Sequence, residues 1–478
     1  MLRVLTRLLG AGVLLLLALL LVGVAWAVVR VATYEQTEDF DSMRAKVTAL
    51  GAMGESAEKG ARPNVVLIVF DDLGRGDLGA YREDAPATPR LDRLAAEGAR
   101  FESYYSPMPY CTPARAGLLT GRWPIRTGLT QVVFPEGHPI DRVQRLMGQP
   151  IRLPADEITL AEGLHAAGYA TAMVGKWHLG DVAPSLPNDL GFEHYFGVLH
   201  SNDMAPLPLW RDREVVEAHP IDQARLTERY TEEAVAFIEA ERDRPFFLYV
   251  AHTFPHIPLY ASAEQAGTSP AGLYGDVIAD LDASTGAILD ALERRGLTRD
   301  TLVLVTSDNG PWYQGSSGDI RGRKNEVFEG GMRVPLLARW PGRIPAGRHV
   351  PDVAAGVDLF PTVLARAGVP LPDDREIDGV DLWPALGAAE PLPERPIYFY
   401  QSDELLAVRV GRWKAHRRHG VYGGFLAAWP IAPLMPRGPW LFDLERDPDE
   451  SYDVGGRHPE ELERLLGVMQ RFEDELAR

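Results

Sequence analysis

Three short apolar runs, each followed at once by polar residues, constrain the fold of this chain most strongly. They are Asn64–Phe70, Phe246–Ala251 and Thr301–Thr306. Continuous runs of this length that are rich in Val, Leu and Phe are typical of strands buried on both faces of a parallel sheet. Helical patterns that end in glycine alternate with them, at Pro89–Gly98 and Leu273–Gly296. The alternation predicts an α/β fold, a doubly wound, mostly parallel sheet flanked by helices on both faces.

Composition divides the chain into four segments. We expect a signal anchor or transmembrane helix at 1–30, a linker or stalk at 31–62, a large α/β domain at 63–394 and a smaller domain at 395–478. The last segment has short strand patterns followed by an amphipathic helix at Glu460–Leu476, which predicts a small antiparallel sheet plus a helix. A chain of 478 residues is long enough for two such cores.

The N-terminal sequence indicates the cellular location of the protein. Arg3 and Arg7 precede an uninterrupted apolar run, Leu8–Val29, of 22 residues. About 20 apolar residues span a bilayer, whereas the apolar core of a cleaved signal peptide is shorter. We therefore expect an uncleaved anchor and an exported chain that lies outside the cytoplasm, in the periplasm or the extracellular space. The A-W-A at 25–27 resembles a cleavage site, so a cleaved leader stays open as the alternative.

Charge and cysteine content exclude some classes of function. The formal net charge of −18 argues against a nucleic-acid partner, because such binding needs basic surface that neutralises phosphates. It also means that an anionic substrate must be bound by local positive groups. Cys111 is the only cysteine, which rules out an intrachain disulfide.

That cysteine opens a distinctive stretch, Tyr110–Arg122, which reads Y-C-T-P-A-R-A-G-L-L-T-G-R. The pattern predicts a helix with Cys111 at the N-cap, Pro113 in the first turn and Gly121 at the end. Arg115 then lies one turn beyond Cys111 on the same face, and the helix N-terminus beside them suits an anion. The alternative is that Cys111 is a small buried hydrophobe and Arg115 a surface charge.

Oxygen-bearing side chains follow two of the apolar runs. Asp71 and Asp72 come directly after the first, and Asp308 and Asn309 follow the third. Calcium and magnesium prefer such hard oxygen ligands. The alternative is a helix cap at the first pair and a simple turn at the second. Because ligand sites collect at the carboxyl ends of parallel strands, we favour a metal site.

Candidate acids, bases and cations follow other strand patterns. Lys176 and His178 come after Ala170–Val174, and their spacing of two predicts that they point the same way on an extended segment. His252 and His256 follow the second apolar run, with prolines nearby that argue against a helical zinc pair. Imidazole is the side chain that changes charge near neutral pH without help.

A glycine-rich loop at 315–331 contains Lys324, and Arg321, Arg323 and Arg333 lie in or just beyond it. This pattern indicates either a positively charged rim over an anion site or a solvated loop.

Together these motifs carry a resemblance to a known family. The string C-x-P-x-R followed by A-G-L-L-T-G-R resembles the formylglycine-dependent sulfatases of the alkaline phosphatase superfamily. G-K-W-H-L-G at 175–180, H-x-P at 256–258, S-D-N-G at 307–310 and Lys324 before F-E-G-G-M-R-V-P continue it from about Asn64 to the C-terminus. The sequence is most similar to the arylsulfatase A-like branch, which makes 63–394 the catalytic domain.

The resemblance implies a role for each motif residue. It makes Cys111 the precursor of formylglycine, formed by a formylglycine-generating enzyme, and Arg115 its support. The hydrated aldehyde attacks sulfur, and the free aldehyde returns when sulfate leaves. The residues implied to bind Ca²⁺, with Mg²⁺ less favoured, are Asp71, Asp72, Cys111, Asp308 and Asn309. Those implied to bind sulfate or transfer protons are Lys176, His178, His256, Lys324 and, from a looser match, Ser201; His252 has no implied role.

The expected function is hydrolysis of a sulfate monoester of a small molecule, lipid or glycan, releasing an alcohol or phenol and inorganic sulfate. Two alternatives stay open: a phosphonate monoester or phosphodiester hydrolase of the same superfamily, and a membrane-anchored binding protein with an inactive site. The apolar segment Phe425–Met435 is either a loop buried on the main domain or a lip that contacts an amphiphilic substrate such as a sulfolipid.

Overall fold

The structure of the protein is a computed structural model that describes residues 2–60, 62–240, 243–417 and 438–478. The apolar segment Phe425–Met435 lies outside the described residues, so neither interpretation of it is tested.

A large sheet of 11 strands forms the centre of the protein. Its strands are β1 (Asn64–Phe70), β2 (Ala99–Tyr105), β3 (Ala170–Lys176), β4 (His194–Val198), β5 (Leu209–Arg211), β6 (Glu214–Glu217), β7 (Phe246–Ala251), β8 (Thr301–Ser307), β9 (Arg333–Val334), β10 (Leu336–Arg339) and β11 (Arg348–Ala355). The strand order is β11-β2-β10-β8-β1-β7-β3-β4-β5-β6, and β9 pairs with β2. The central strands β8, β1, β7, β3 and β4 run parallel.

Burial explains why the three apolar runs became central strands. Every residue of β1, β7 and β8 is buried. One hydrophobic cluster, including Val65 and Leu67, packs on one face of the sheet, and a second, including Val66 and Ile68, packs on the other. Alternate residues of a strand point to opposite faces, so a strand covered on both sides is apolar along most of its length. The polar residues of these strands lie at or next to their ends: Asn64, Thr301, Thr306 and Ser307.

Helices flank this sheet, and the predicted doubly wound α/β fold is confirmed. They are α1 (Leu2–Ala32), α2 (Phe40–Ser56), α3 (Pro89–Glu97), α4 (Cys111–Thr120), α5 (Pro124–Thr127), α6 (Pro139–Met147), α7 (Leu160–Ala166), α8 (Leu226–Glu239), α9 (Gly272–Arg294), α10 (Glu329–Met332), α11 (Leu359–Arg366) and α12 (Pro459–Leu476).

The C-terminal part forms the predicted small antiparallel sheet. It consists of β12 (Ile397–Gln401), β13 (Glu404–Val410), β14 (Trp413–His416) and β15 (Trp440–Asp443), paired in that order. Helix α12 packs on it, with the rings of Tyr398 and Phe472 stacked 3.9 Å apart. This apolar contact holds the terminal helix on the small sheet.

The N-terminal segment has two helices of different character. In α1, Gly12–Ala32 has a mean hydropathy of 2.8, and none of that apolar window is buried; it is the one described helix long and apolar enough to cross a membrane. In contrast, α2 packs against the main domain. Its Ala49 and Met53 belong to the large core, and Lys46 pairs with Glu162 at 2.6 Å. The region 31–62 therefore includes a docked helix.

Candidate active site

The carboxyl ends of the two neighbouring central strands bring the predicted oxygen ligands together. Asp71 and Asp72 follow β1, and Asp308 and Asn309 follow β8. The Asp72 amide donates to Asp308 Oδ1 at 3.2 Å, and Asn309 Nδ2 donates to Asp72 Oδ1 at 2.7 Å. Asp72 has a φ of 67°, a strained conformation of the kind that clusters at functional sites. All four side chains are buried.

Cys111 faces this cluster from the start of α4. Its Sγ donates to Asp71 Oδ1 at 3.3 Å and accepts from Lys324 Nζ at 3.3 Å. The predicted N-cap position is wrong by one residue, because Tyr110 has the extended cap conformation and Cys111 is the first helical residue. Gly121 ends the helix with a φ of 70°, as predicted.

Arg115 joins α4 to two strand ends. Its Nε and Nη2 atoms contact Asp308 Oδ2 at 2.9 and 2.8 Å, and its Nη1 donates to the Lys176 carbonyl at 2.7 Å. The guanidinium is fully buried, so the alternative of a surface charge is wrong. A buried, doubly bonded arginine fixes the position of the helix that carries Cys111.

Two lysines place positive charge beside the cysteine. Lys176 Nζ donates to Asp71 Oδ2 at 2.6 Å and to Ser201 Oγ at 3.1 Å. Lys324 Nζ donates to Asp72 Oδ2 at 2.9 Å. Burial alone would lower the pKa of Lys324, but the Asp72 carboxylate raises that pKa above its usual range. Lys324 is therefore charged, and both lysines are positioned to bind an anion.

The three arginines near Lys324 do not form a positive rim, which was one of the two alternatives for this loop. Arg323 donates to the Trp312 and Gly315 carbonyls, and Arg333 donates to the Glu102 carbonyl. Arg321 donates to the Glu450 carbonyl. Each of these arginines donates to a backbone carbonyl, and Lys324 is the residue of this set that reaches the cysteine.

His256 joins the site, and its hydrogen bonds indicate its tautomer. Nδ1 lies 2.5 Å from the Ile257 carbonyl, which can only accept, so Nδ1 carries a proton. Asn202 Oδ1 is a second partner at 3.1 Å. Nε2 lies 3.4 Å from Ser201 Oγ and 3.7 Å from Asp72 Oδ2, so it faces the cluster and is the nitrogen available for proton transfer.

His178 is buried near Lys176, although the geometric reason for predicting this is wrong. Strand β3 ends at Lys176, and His178 has a φ of 62°, so the two do not share an extended segment. His178 Nε2 lies 3.1 Å from the Val133 carbonyl. Burial, reinforced by Lys176, holds the pKa of His178 well below its ordinary value. The imidazole is therefore neutral near pH 7.

His252 lies outside the site. Its ring stacks on Phe70 at 5.7 Å and its Nε2 lies 3.2 Å from Ser284 Oγ on α9. Burial lowers the pKa of His252 to about 3. This histidine is a packed core residue, consistent with its lack of an implied role.

The donor set fits a hard cation. One ligand atom each from Asp71, Asp72, Cys111 and His256 lies within 4.8 Å of the others. Asn309 Oδ1 is buried and has no hydrogen-bond partner among the described residues, which is costly unless a cation binds it. Burial raises the pKa of Asp308 to about 6, and the neighbouring Asp71 charge adds to that shift. A dication would relieve both penalties.

Burial also raises the pKa of the Cys111 thiol above its usual range. A thiol in that state is a poor nucleophile, because the thiolate is the reactive form. The unmodified Cys111 thiol is therefore disfavoured as a nucleophile.

Two residues near the site were not among the predicted site residues. Asn202 contacts His256, as described above, and His200 packs edge-on against His178 with ring centroids 5.9 Å apart. Neither belongs to a recognisable motif; their adjacency to Ser201 was the one available hint.

The fold and the site together define an α/β protein in which two lysines, a cysteine and a group of oxygen ligands form one buried cluster at the strand ends. Comparisons with protein families identify the class of protein. A family model described as sulfatase matches residues 63–369, and a second, described as the C-terminal region of aryl-sulfatase, matches residues 392–478. The chain belongs to the sulfatase family, and it is a sulfuric ester hydrolase.

Individual relatives agree with this assignment. N-acetylgalactosamine-6-sulfatase of Canis lupus familiaris is 39% identical over 458 residues, covering 87% of this chain and 86% of the relative. Arylsulfatase A of Homo sapiens is 39% identical over 452 residues, covering 84% and 86%. A crystal structure of Ps i-CgsB in complex with k-i-k-neocarrahexaose superposes with a TM-score of 0.75 at 28% identity, covering 86% of this chain and 92% of that one.

Proposed function

We propose that the protein hydrolyses sulfate monoesters through a formylglycine formed from Cys111, with Ca²⁺ bound at the strand ends. The observation that carries the proposal is the position of Cys111 Sγ, 3.3 Å from both Asp71 Oδ1 and Lys324 Nζ. A side chain between a carboxylate and an ammonium is where a nucleophile and a bound anion must meet. The raised thiol pKa supports an aldehyde hydrate rather than a thiolate at this position.

The residues proposed to hold the metal are Asp71, Asp72, Asp308 and Asn309, together with the modified Cys111. When bound, the cation supplies positive charge that stabilises sulfuryl oxygens and acidifies a neighbouring hydroxyl. The unpartnered Asn309 Oδ1 supports this assignment. Ca²⁺ is preferred over Mg²⁺ because its coordination geometry is more flexible.

The remaining side chains of the cluster are proposed to bind the sulfate group, to hold the nucleophile in place or to transfer protons. Lys176 and Lys324 bind the sulfate oxygens as point charges, and Ser201, bonded to Lys176, contributes a hydroxyl. Arg115 holds the helix that carries the nucleophile. His178 is neutral, which suits a base that accepts a proton from the hydrate.

His256 is proposed as the general acid. Its Nδ1 proton is held by the Ile257 carbonyl, which turns Nε2 toward the cluster. Burial, together with the Lys324 charge, lowers the pKa of His256; a sulfate ester bound beside it carries negative charge that opposes this shift. Protonation of the leaving oxygen matters most when the leaving group is an alcohol, because an alkoxide is a poor leaving group.

For the substrate we propose the sulfate ester of a sugar or of an aryl alcohol, with an N-acetylgalactosamine 6-sulfate as the first compound to test. Relatives whose names specify that sugar and relatives named arylsulfatase A both align over most of the chain. A small aryl sulfate is the second compound, because it reports chemistry without glycan recognition.

For location we propose export with α1 retained as a membrane anchor, which places the catalytic domain outside the cytoplasm. The unburied apolar helix Gly12–Ala32 supports an anchor, and its N-terminal position is equally suited to a signal sequence. Conversion of Cys111 adds a transient partner, a formylglycine-generating enzyme.

The test is a panel of aryl, sugar, steroid and lipid sulfates together with a phosphonate monoester, assayed on converted protein and on Cys111→Ala. We expect sulfate release from the sugar or aryl ester, with a loss of at least about 10⁴-fold in Cys111→Ala and an unchanged melting temperature. Mass spectrometry of the Cys111 peptide reports conversion. Activity retained by Cys111→Ala would overturn the mechanism, and faster hydrolysis of the phosphonate would favour that alternative.

A further inference from the structure

Helix α6 (Pro139–Met147) presents an apolar stripe to solvent that the active site does not use. Ile140, Val143 and Met147 are 44%, 51% and 67% exposed. At 100° per residue these three positions fall within about 60° of one another around the helix. Exposed apolar residues aligned on one helix face mark a binding surface more often than scattered ones do.

The charged residues of α6 are also distributed unevenly around the helix. Its one acidic residue, Asp141, is buried and accepts from the Gly137 amide and from Arg145. Arg142 is exposed about 100° around the helix from Val143. The solvent-facing surface of the helix therefore carries apolar and positive side chains without an acidic one, which is the pattern of helices that lie at a membrane surface.

The position of α6 identifies the partner. Helix α1 packs beside α6 at the end of its apolar segment, where a Cβ on Gly148 would lie 3.2 Å from an Arg30 guanidinium nitrogen. Tyr34, two residues after α1, donates to the Gln149 carbonyl at 2.7 Å. If Gly12–Ala32 spans a bilayer, the residues that follow it emerge at the surface of that bilayer, and α6 lies at the same level.

We propose that α6 is an interfacial helix whose stripe, Ile140, Val143 and Met147, inserts into the outer surface of the membrane that α1 anchors. This inference rests on the proposed retention of α1. It does not depend on which sulfate ester the enzyme cleaves.

Contact with the membrane would reach the wall of the active site through one short segment. Gln144 of α6 donates to the Val132 carbonyl at 2.8 Å. The next residue, Val133, donates to Thr112 Oγ1, beside Cys111, at 3.3 Å. Its carbonyl lies 3.1 Å from His178 Nε2. The interfacial helix thus holds one side of the pocket at the bilayer surface.

The chain suits a labelling test because Cys111, its only cysteine, is buried. Full-length protein reconstituted in nanodiscs carries an environment-sensitive fluorophore at Val143→Cys, at Val216→Cys or at Leu20→Cys. Val143 and Val216 are 51% and 49% exposed, and Val216 lies on β6, the edge strand of the large sheet, so they form a matched pair. The unsubstituted chain measures background labelling.

Lipids with a nitroxide high on the acyl chain should quench the label at 143 by at least about two-fold and leave the label at 216 unchanged. Lipids with a nitroxide near the end of the acyl chain should quench the label at 20, which lies near the middle of the span. Quenching at 20 without quenching at 143 would overturn the proposal for α6 while leaving the anchor intact. Absence of quenching at 20 would overturn the anchor and this inference with it. Sulfate release by the same samples separates both outcomes from failure of the proposed activity.

Discussion

The segment 324–332 contributes a residue to each of two buried clusters of charged side chains, and only one of them has the properties of a site. The first is the active-site cluster around Cys111. The second, the junction cluster, joins the large and small sheets and consists of Glu329, Lys414, His416 and Glu450. All four of its members are fully buried.

The junction cluster satisfies its own hydrogen-bonding capacity. Lys414 Nζ contacts the Val327 carbonyl, Glu329 Oε1 and Glu450 Oε1 at 2.9, 3.0 and 3.2 Å, which uses all three donors. Glu450 accepts from His416 and from the Glu329 amide, both at 2.6 Å. Apart from His416 Nδ1, these side chains have partners within the described residues.

The active-site cluster, in contrast, contains oxygen atoms whose hydrogen-bonding capacity is not fully used by the described residues. Asn309 Oδ1 has no partner among the described residues, and the carboxylates of Asp71 and Asp72 face a cysteine and two lysines rather than a saturating set of amides. Burial of charge is therefore common to a structural junction and a reactive centre. Oxygen atoms with unused ligand capacity, beside a cysteine and two lysines, distinguish the candidate active site.

The largest effect that separates the clusters is expected for His256→Gln. Glutamine can bond to Ile257 or Asn202 but cannot donate a proton to a leaving oxygen, so kcat on a sugar sulfate should fall by about 10²–10⁴-fold. Steady-state assays on a sugar sulfate and on 4-nitrophenyl sulfate measure this.

The aryl ester is the internal control, because nitrophenolate leaves without protonation and its kcat should fall much less. Equal losses on both esters would show that His256 acts in binding and not as the acid.

The next effect is on stability and belongs to the junction cluster. Lys414→Met leaves Glu450 buried without its lysine and Glu329 with only Arg333, whose Nη1 is 3.6 Å from Glu329 Oε2, so the free energy of unfolding should fall by about 3–5 kcal/mol. Denaturant unfolding measures it. The kcat of the folded fraction should change by no more than about two-fold, since Lys414 does not contact the pocket.

Lys59→Met is the matched control, because Lys59 is exposed and the same charge is removed. If Lys414→Met unfolds like Lys59→Met, or if it abolishes turnover without loss of stability, the division between the two clusters fails.

The smallest predicted effect concerns a hydrogen bond between the small sheet and the segment that carries Lys324. Gln401, at the end of β12, donates from Nε2 to the Asn325 carbonyl at 2.8 Å, directly beside Lys324. Gln401→Ala removes a hydrogen bond worth about 0.5–1.5 kcal/mol, so kcat/KM should fall by about 2–10-fold, mainly through KM, as Lys324 loses its fixed position.

Gln470→Ala, on the exposed surface of α12, is the matched substitution and should change neither constant. A Gln401→Ala enzyme with an unaltered KM would mean that the small sheet does not position Lys324.

The sequence alone was sufficient to predict the central sheet and most of the residues of the active-site cluster. Apolar runs such as Asn64–Phe70 and Thr301–Thr306 predict strands because the middle of a strand buried on both faces is apolar. Parallel neighbours end at the same edge of a sheet, so Asp71, Asp72 and Asp308 were predictable as one cluster from position alone. The C-x-P-x-R string placed Cys111 and Arg115 at the head of a helix, one residue from where the structure has the cap.

Tertiary structure decided which of several equivalent side chains the pocket uses. His252 follows β7 directly and packs into the core, whereas His256, after a further loop, reaches the cluster. Lys324 points inward, and the three nearby arginines bond to backbone instead. Chain direction beyond the end of a strand is determined by loop conformation and long-range hydrogen bonds. Local periodicity carries no information about either, so sequence reasoning could name these candidates but could not choose between them.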